Sequence, residues 1–325
     1  MTALRTLLPG IAVLFGLAAV AQAVGAATPL SPLIAAIGIG VVVAGVVGVP
    51  AWAEPGVDRH KLLLETGIVL LGAQLTVGQL VTTGPLVVGL AVGVVVVGVL
   101  FVELVGRQVG IESRTRSLLA AGASVCGVSA VLAVAGSIDG DEAEISYAAG
   151  TVLLFDAITL VAFPIIGTAL GLGDRVFGVW AGLSLFSTGP AAAVGFAVSE
   201  TAGQWAPLTK LVRNTFIGVL AVAYALYYTT GDEQTGASEI WYRFPKFLVG
   251  FLAVALVANL GVIDSAAQAA IGTVGDWLFA LAFVGLGFEL NPRRLRSTGM
   301  RPLLVVLAQL LVVSLLTLGA VSVLL

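Results

Sequence analysis

Charged residues are scarce in this chain. Asp, Glu, Lys and Arg make up only 10% of its 325 residues, whereas soluble domains carry about 25%. Hydrophobic residues account for 59%, and the mean hydropathy is +1.10. This composition excludes a sizeable water-soluble domain. The net charge of −3, without a basic cluster away from helix ends, also gives no basis for binding nucleic acid.

Cysteine and histidine are each present once, as Cys126 and His60. One cysteine cannot form an internal disulfide, and one histidine cannot form a metal site alone. The sequence contains no HExxH, CxxC or Walker-type motif. We therefore expect no metal, no cofactor and no soluble-enzyme chemistry.

Long apolar segments dominate the rest of the chain, and a membrane-spanning helix needs about 20 such residues. Eleven segments qualify: 4–24, 30–50, 61–81, 84–106, 115–137, 144–170, 175–199, 206–229, 243–263, 268–289 and 300–324. Because backbone polar groups must be paired within lipid, these segments predict an all-α polytopic membrane protein. We expect one transporter domain over residues 1–325. As an alternative, Ala21-Gln22-Ala23 could end a cleaved signal peptide.

The basic residues fall on alternate connections of this arrangement. Thirteen of the 15 would lie on one side: Arg5, Arg59, Lys61, Arg107, Arg114, Arg116, Arg175, Arg243, Lys246, Arg293, Arg294, Arg296 and Arg301. Positively charged loops stay in the cytoplasm. The sequence thus predicts a cytoplasmic N-terminus, an external C-terminus and an external loop over residues 138–144 in the cell membrane.

An internal repeat supports a transporter. Residues 71–75 (Leu-Gly-Ala-Gln-Leu) parallel residues 286–290 (Leu-Gly-Phe-Glu-Leu), and Leu80, Thr83 and Gly84 match Leu295, Thr298 and Gly299 at the same offset. The two helices would cross in opposite directions, as inverted repeats of secondary transporters do. Chance similarity between glycine- and leucine-rich helices is the alternative.

Two cations and one carboxylate stand apart from the topological pattern. Lys210 and Arg213 lie within the predicted eighth helix, with Arg213 roughly 12 Å from its start. Charges at that depth usually face a cavity or a partner, and a guanidinium suits oxyanions; the alternative is snorkelling to the interface. Asp156 lies in the middle of the sixth helix. It could carry a coupling proton or make a structural ion pair or hydrogen bond.

Two predicted helices have polar, glycine-rich centres, over residues 122–130 and 182–190. Glycine and proline allow a helix to unwind in the membrane, and the new half-helix N-terminus can bind an anion. Close packing of small residues is the alternative. The candidate substrate-binding residues are Ser124, Cys126, Gly127, Ser129, Ser187, Thr188, Lys210 and Arg213, with Asp156 for coupling.

Several runs resemble the YeiH-like inner-membrane proteins, a family labelled as sulfate exporters. The similarity is carried by residues 66–72, 123–130, 180–184, 209–213 and 285–287. It implies relation to the cation–proton antiporter and bile-acid transporter superfamily, with crossed, discontinuous helices. The chain departs from the family where His, Asp and Gln are expected, because Phe186, Ser187 and Pro190 stand there. Asp156 could replace the missing acidic group.

The sequence therefore favours a secondary transporter for a small anion, of the sulfate or organic sulfonate class. Coupling to protons through Asp156 is one option. An anion channel and an intramembrane enzyme are the alternatives, although no candidate nucleophile has an evident base beside it. The expected partners are the anionic substrate and the lipid bilayer, and a homo-oligomer is one further option.

Overall fold

A computed structural model describes residues 2–28, 32–74, 77–138, 140–228, 247–289 and 300–325. These residues contain helices and no strands. Six described helical stretches are long and apolar enough to cross a membrane: Thr6–Ala27, Gly84–Gln108, Ala143–Ala169, Glu200–Tyr228, Ala266–Glu289 and Met300–Leu324. The chain is thus an all-α, multi-pass membrane protein, as its composition predicts.

The chain forms two compact units. The first, Met1–Thr83 with Lys246–Arg294, contains α1 (Thr2–Ala27), α2 (Pro32–Val46), α3 (Glu54–Val57) and α4 (His60–Leu71) with a 3₁₀ turn over Gly72–Gln74. The second unit takes α5 (Val77–Gln108) from Gly84 onward, α6 (Ser113–Ala121), α7 (Val128–Ile138), α8 (Glu142–Ala169), α9 (Asp174–Ser184), α10 (Thr188–Val198), α11 (Glu200–Asn214) and α12 (Ile217–Tyr228). The remaining helices are α13 (Phe247–Asn259) and α14 (Ser265–Glu289) in the first unit and α15 (Met300–Leu324) in the second.

The predicted boundaries need correction at two places. Residues 77–81 belong to α5 rather than to the preceding helix, because the chain turns at Gly72–Gln74. The helix that carries Arg213 begins at Glu200, not at residue 206, and is interrupted at Thr215 and Phe216. Pro207 is accommodated inside α11. Proline there removes a backbone donor without ending the helix.

The predicted repeat pairs α4 with α14, and these helices lie side by side in the first unit. Gly67 packs against Phe279, and Gly285 packs against His60, so the helices run in opposite directions as expected. His60 and Lys61 both lie near the Glu289 carboxylate, with Lys61 Nζ 2.8 Å from it. The repeat residues Leu75, Leu290 and 295–299 lie outside the described residues.

The helix predicted over residues 115–137 is not continuous; it folds back on itself. A Cβ atom placed on Gly140 would lie 3.5 Å from the Leu118 side chain and 3.3 Å from Ala135. In a continuous helix, Leu118 and Ala135 would be about 25 Å apart, at 1.5 Å per residue. Helices α6 and α7 therefore form an antiparallel pair, hairpin 1, with its tip at residues 122–127.

The helix predicted over residues 175–199 folds back in the same way. Gly178 in α9 and Gly195 in α10 both pack against Ala202 of α11. At the other end of α11, Asn214 Nδ2 donates to Thr188 Oγ1 at 2.9 Å. Helices α9 and α10 therefore form hairpin 2, whose tip lies at residues 185–187.

The two hairpins begin from opposite ends of the second unit. One cavity of 590 Å³ is lined by Gly110, Ile111, Glu112, Thr115, Asp141, Ala143, Glu144, Tyr147, Met300, Arg301 and Pro302. We refer to this as the basic end because Arg107, Arg114, Arg116 and Arg301 lie in or beside it. Hairpin 1 starts there. The 28-residue helix α8 then runs to the other end, where Gly167 contacts Phe177 and hairpin 2 starts. Each hairpin is followed by a segment that runs to the opposite end of the second unit: α8 follows hairpin 1, and α11 with α12 follows hairpin 2. The segments α6–α8 and α9–α12 therefore form an inverted pair.

This arrangement corrects the predicted topology. Residues 138–144 were expected on the side opposite residues 107–116, yet both segments lie at the basic end because hairpin 1 does not cross. Arg175, expected on the basic side, starts hairpin 2 at the opposite end. Arg107, Arg114, Arg116 and Arg301 still share one end, so the positive-inside rule now predicts that this end is cytoplasmic. Arg243, Lys246, Arg293, Arg294 and Arg296 lie outside the described residues.

Candidate functional site

The tip of hairpin 1 is a π-helical turn, Gly122–Cys126, followed by Gly127. Gly127 has φ +70° and ψ −139°, a conformation that residues with a Cβ atom rarely adopt. A Cβ atom at this position would overlap Ser187 Oγ in the other hairpin. Glycine therefore both reverses the chain and allows the two tips to touch.

The tip of hairpin 2 is extended rather than helical. Leu185 and Ser187 have β-region backbone angles between the end of α9 and the start of α10. The Asp156 carboxylate in the middle of α8 accepts the Ser187 N–H at 3.2 Å. Phe155 packs edge-on against Phe186, with ring centroids 6.2 Å apart. Helix α8 thus supports this tip with one charged and one aromatic contact.

Arg213 joins the two hairpins. Its guanidinium donates to the carbonyls of Ala123 and Ser124 in hairpin 1, both at 2.7 Å. It also donates to the carbonyls of Leu183 and Leu185 in hairpin 2, at 2.6 and 2.9 Å. The side chain is 0% exposed. The planar fork of five donors lets one side chain bind carbonyls from two segments.

Lys210 lies one helical turn earlier and makes a second link. Its Nζ donates to the Val125 carbonyl of hairpin 1 and the Leu185 carbonyl of hairpin 2, both at 2.7 Å. This side chain is also 0% exposed. The burial of both cations contradicts snorkelling to an interface. Arg213 is 13 residues from the start of α11, or about 20 Å, deeper than the sequence suggested.

These contacts are made with the C-terminal ends of two half-helices. The last carbonyls of a helix lack partners within it and carry the negative end of the helix dipole. The two cations satisfy these carbonyls in both hairpins. The N-terminal ends of α7 and α10 begin at the same tips, at Val128 and Thr188, and present the positive ends of their dipoles.

The structure brings the predicted site residues together at the tips, with different degrees of access. Ser124 and Cys126 are buried, Ser187 and Thr188 are half-buried, and Ser129 is exposed. The hydroxyls at the starts of α7 and α10 are therefore the accessible ones. Ser187 occupies the N-cap position of α10 without a side-chain capping bond.

Sequence reasoning missed two polar residues around the tips. Asn214 follows Arg213 directly and bonds Thr188. Gln309 of α15 is 1% exposed, and its amide atoms have no hydrogen-bond partner in the described part of the chain. Gln309 Nε2 and Ser124 Oγ both lie within 2.8 Å of the position that a Cβ atom would take at Gly98. An isolated glutamine within an apolar helix was the available signal.

A family model described as "Conserved hypothetical protein 698" matches residues 9–306. A UPF0324 membrane protein of Rhodopirellula baltica is 32% identical over 274 residues, covering 79% of this chain and 50% of that protein. A UPF0324 membrane protein of Nitratidesulfovibrio vulgaris is 30% identical over 281 residues, covering 83% and 78%. The chain belongs to the UPF0324 membrane protein family, which this family model describes.

The UPF0324 relatives extend the match across species. A UPF0324 membrane protein of Corynebacterium glutamicum is 29% identical over 279 residues, covering 84% of this chain and 79% of the relative. The chain spans half the length of the Rhodopirellula protein. No solved structure matches it. The matched residues 9–306 include both hairpins and both buried cations.

Proposed function

We propose that this protein is a secondary transporter for a small anion of the sulfate or organic sulfonate class, in keeping with the YeiH-like resemblance. The observation that carries the proposal is the pair of opposed hairpins whose tips meet and are linked by Arg213. Irregular backbone within a membrane protein is tolerated where it is buried or lines a cavity. Opposed broken helices with tips at the centre are the arrangement that secondary transporters use to bind substrate.

The charge distribution at the tips favours an anion. An arginine side chain stays charged in proteins. Arg213 therefore neutralises the C-terminal ends of the two half-helices that lead into the tips. The N-terminal ends of α7 and α10 then keep their positive dipoles, and the Asp156 carboxylate lies at the start of α10. Ser129, Ser187 and Thr188 supply hydroxyl donors at these ends. The anion would lie at the two helix N-termini rather than on the guanidinium itself.

Asp156 is placed to couple binding to protonation. Its carboxylate accepts the Ser187 N–H at 3.2 Å, the type of backbone donor that an arriving oxyanion would use. An ionised Asp156 competes with the substrate for this position, whereas a protonated one does not. Anion and proton would therefore move together. Asp156→Asn should bind anion and lose the dependence of transport on pH.

Uptake by proteoliposomes containing the purified protein tests the proposal. Radiolabelled sulfate and a panel of organic sulfonates would serve as probes, with counterflow as the readout that identifies a carrier. A channel would show electrical conductance without counterflow. If no small anion is taken up or shifts the melting temperature, the proposal fails.

Ser129→Asp separates folding from binding. An acidic residue in the first turn of α7 stabilises the helix by roughly 0.3–1 kcal/mol, but its charge would repel an anion at the tip. Ser113→Asp is the matched control, since Ser113 is an exposed residue in the first turn of α6 at the basic end. We expect anion uptake to be lost in the first variant and kept in the second. Equal uptake by both would argue against the site.

An intramembrane enzyme is the weaker alternative. Cys126 is buried in the π turn, and its surroundings are the carbonyls that Lys210 and Arg213 bind. Hydrolysis of a sulfonate ester or peptide probe by the purified protein, abolished by Cys126→Ala, would favour it over transport.

A further inference from the structure

The main-chain oxygens of Ala123, Ser124, Val125, Leu183 and Leu185 converge on two side chains. We refer to these five oxygens as the carbonyl cluster. Six hydrogen bonds of 2.6–2.9 Å connect the cluster to Arg213 and Lys210. Three of the oxygens come from hairpin 1 and two from hairpin 2. The cluster is therefore a shared site and exists only when both hairpins are in place.

Oxygens of this kind bind metal cations in other membrane proteins. In transporters with broken helices, unwound carbonyls and half-helix C-terminal ends coordinate the coupling sodium ion or proton. The cation neutralises the helix dipoles and ties the two broken helices together. In this protein the carbonyl oxygens are bound instead by the Lys210 amine and the Arg213 guanidinium, which are side chains of α11.

We propose that Lys210 and Arg213 act as tethered cations that replace a coupling metal ion, so that the protein needs no sodium ion for folding or transport. The part of this inference that concerns transport rests on the proposed function. The part that concerns folding follows from the carbonyl cluster alone. Removing the Lys210 amine while leaving its space open should create a site for a monovalent cation.

The two side chains contribute differently to this arrangement. Arg213 bonds four oxygens through a planar fork, a geometry that a spherical ion does not reproduce. Lys210 is a compact charge at the end of a flexible stem, and it bridges one oxygen from each hairpin. Lys210 is therefore the one whose place a sodium ion could take.

Thermal unfolding of the purified protein in detergent tests the inference without any substrate. The melting temperature is measured in sodium chloride and in N-methylglucamine chloride at equal ionic strength. Wild-type protein should melt at the same temperature in both. Lys210→Ala should melt lower in N-methylglucamine and recover by several degrees in sodium. Lys210→Met fills the space with an apolar chain, and it should melt lower in both salts without recovery.

Two thermal results would overturn the inference. Stabilisation of the wild-type protein by sodium contradicts a tethered cation in a metal position, and so does an equal response of Lys210→Ala and Lys210→Met to sodium. If neither variant folds, the wild-type comparison decides alone.

Transport supplies a separate readout. In proteoliposomes, anion uptake by wild-type protein should be the same with and without a sodium gradient. Sodium-dependent uptake would refute this inference and leave the anion-transport proposal standing, whereas absence of uptake would refute only the latter.

Discussion

Hairpins 1 and 2 occupy equivalent places in an inverted pair, yet they are built differently. Hairpin 1 turns through a π helix and one glycine with positive φ, and its first arm is held at the basic end by side chains. Arg116 Nε donates to Glu103 at 2.6 Å, and Ser117 and Tyr224 donate to the same carboxylate. Hairpin 2 turns through extended residues.

Hairpin 2 is held by close backbone contact with α11. Gly178, Gly182 and Gly195 all lie where a Cβ atom would meet α11 backbone. Both hairpins place their tips against Lys210 and Arg213, and the difference shows that this arrangement can be stabilised in two ways. Hairpin 1 depends on a polar network and a single special glycine, whereas hairpin 2 depends on small residues along its length.

The largest expected effect concerns the fold-back itself and is an all-or-none result. In a Cys126→Ala background, cysteines at Gly140 and Ser113 should react with an impermeant maleimide from the same side of the membrane. A cysteine at Glu200 should react from the opposite side. The positive-inside rule predicts that the first two are cytoplasmic. Labelling of Gly140→Cys and Ser113→Cys from opposite sides would mean that hairpin 1 is a crossing helix.

Gly127→Ala should destabilise the protein most among single substitutions in the hairpins. The backbone conformation costs a residue with Cβ about 1–3 kcal/mol, and the methyl group would also displace Ser187. Gly136→Ala is the control in the same hairpin, because a Cβ there meets nothing within 4 Å and alanine favours the helix. Melting temperatures of the two variants should move in opposite directions. An unchanged melting temperature for Gly127→Ala would show that this turn is not required.

Gly178→Val tests the small-residue packing of hairpin 2. A Cβ at Gly178 would lie 2.8 Å from the Ala202 carbonyl oxygen, so α9 must move away from α11. Overpacking of this kind costs about 1–3 kcal/mol. Gly93→Val, at an exposed position of α5 with nothing within 4 Å, provides the control. Equal melting temperatures for both variants would argue against tight contact.

Gln309→Leu should have the smallest effect on stability. The amide atoms are buried without partners in the described residues, and replacing such a group by an apolar one of similar shape is nearly neutral or stabilising. If the amide contacts a transported anion near Ser124, uptake should fall while the melting temperature holds. A marked loss of stability would show that the amide is bonded in the native protein.

Much of the candidate site could be predicted from the sequence. Glycine, serine and proline within apolar segments marked both breaks, in residues 122–130 and 182–190, because these residues weaken a helix wherever it lies. Lys210, Arg213 and Asp156 stood out because charges are costly in lipid. Membrane class and helical content came from composition, since a backbone within lipid has few ways to pair its polar groups.

Only the tertiary structure decided the course of the chain after each break. A helix interrupted at Gly127 can continue across the membrane or turn back, and the local sequence is compatible with both. The choice depends on contacts such as Leu118 with Gly140 and Gly178 with Ala202, between residues that are distant along the chain. The partners of Arg213 were equally hidden, because they are main-chain carbonyls, which every residue carries, brought together from two segments about 60 residues apart.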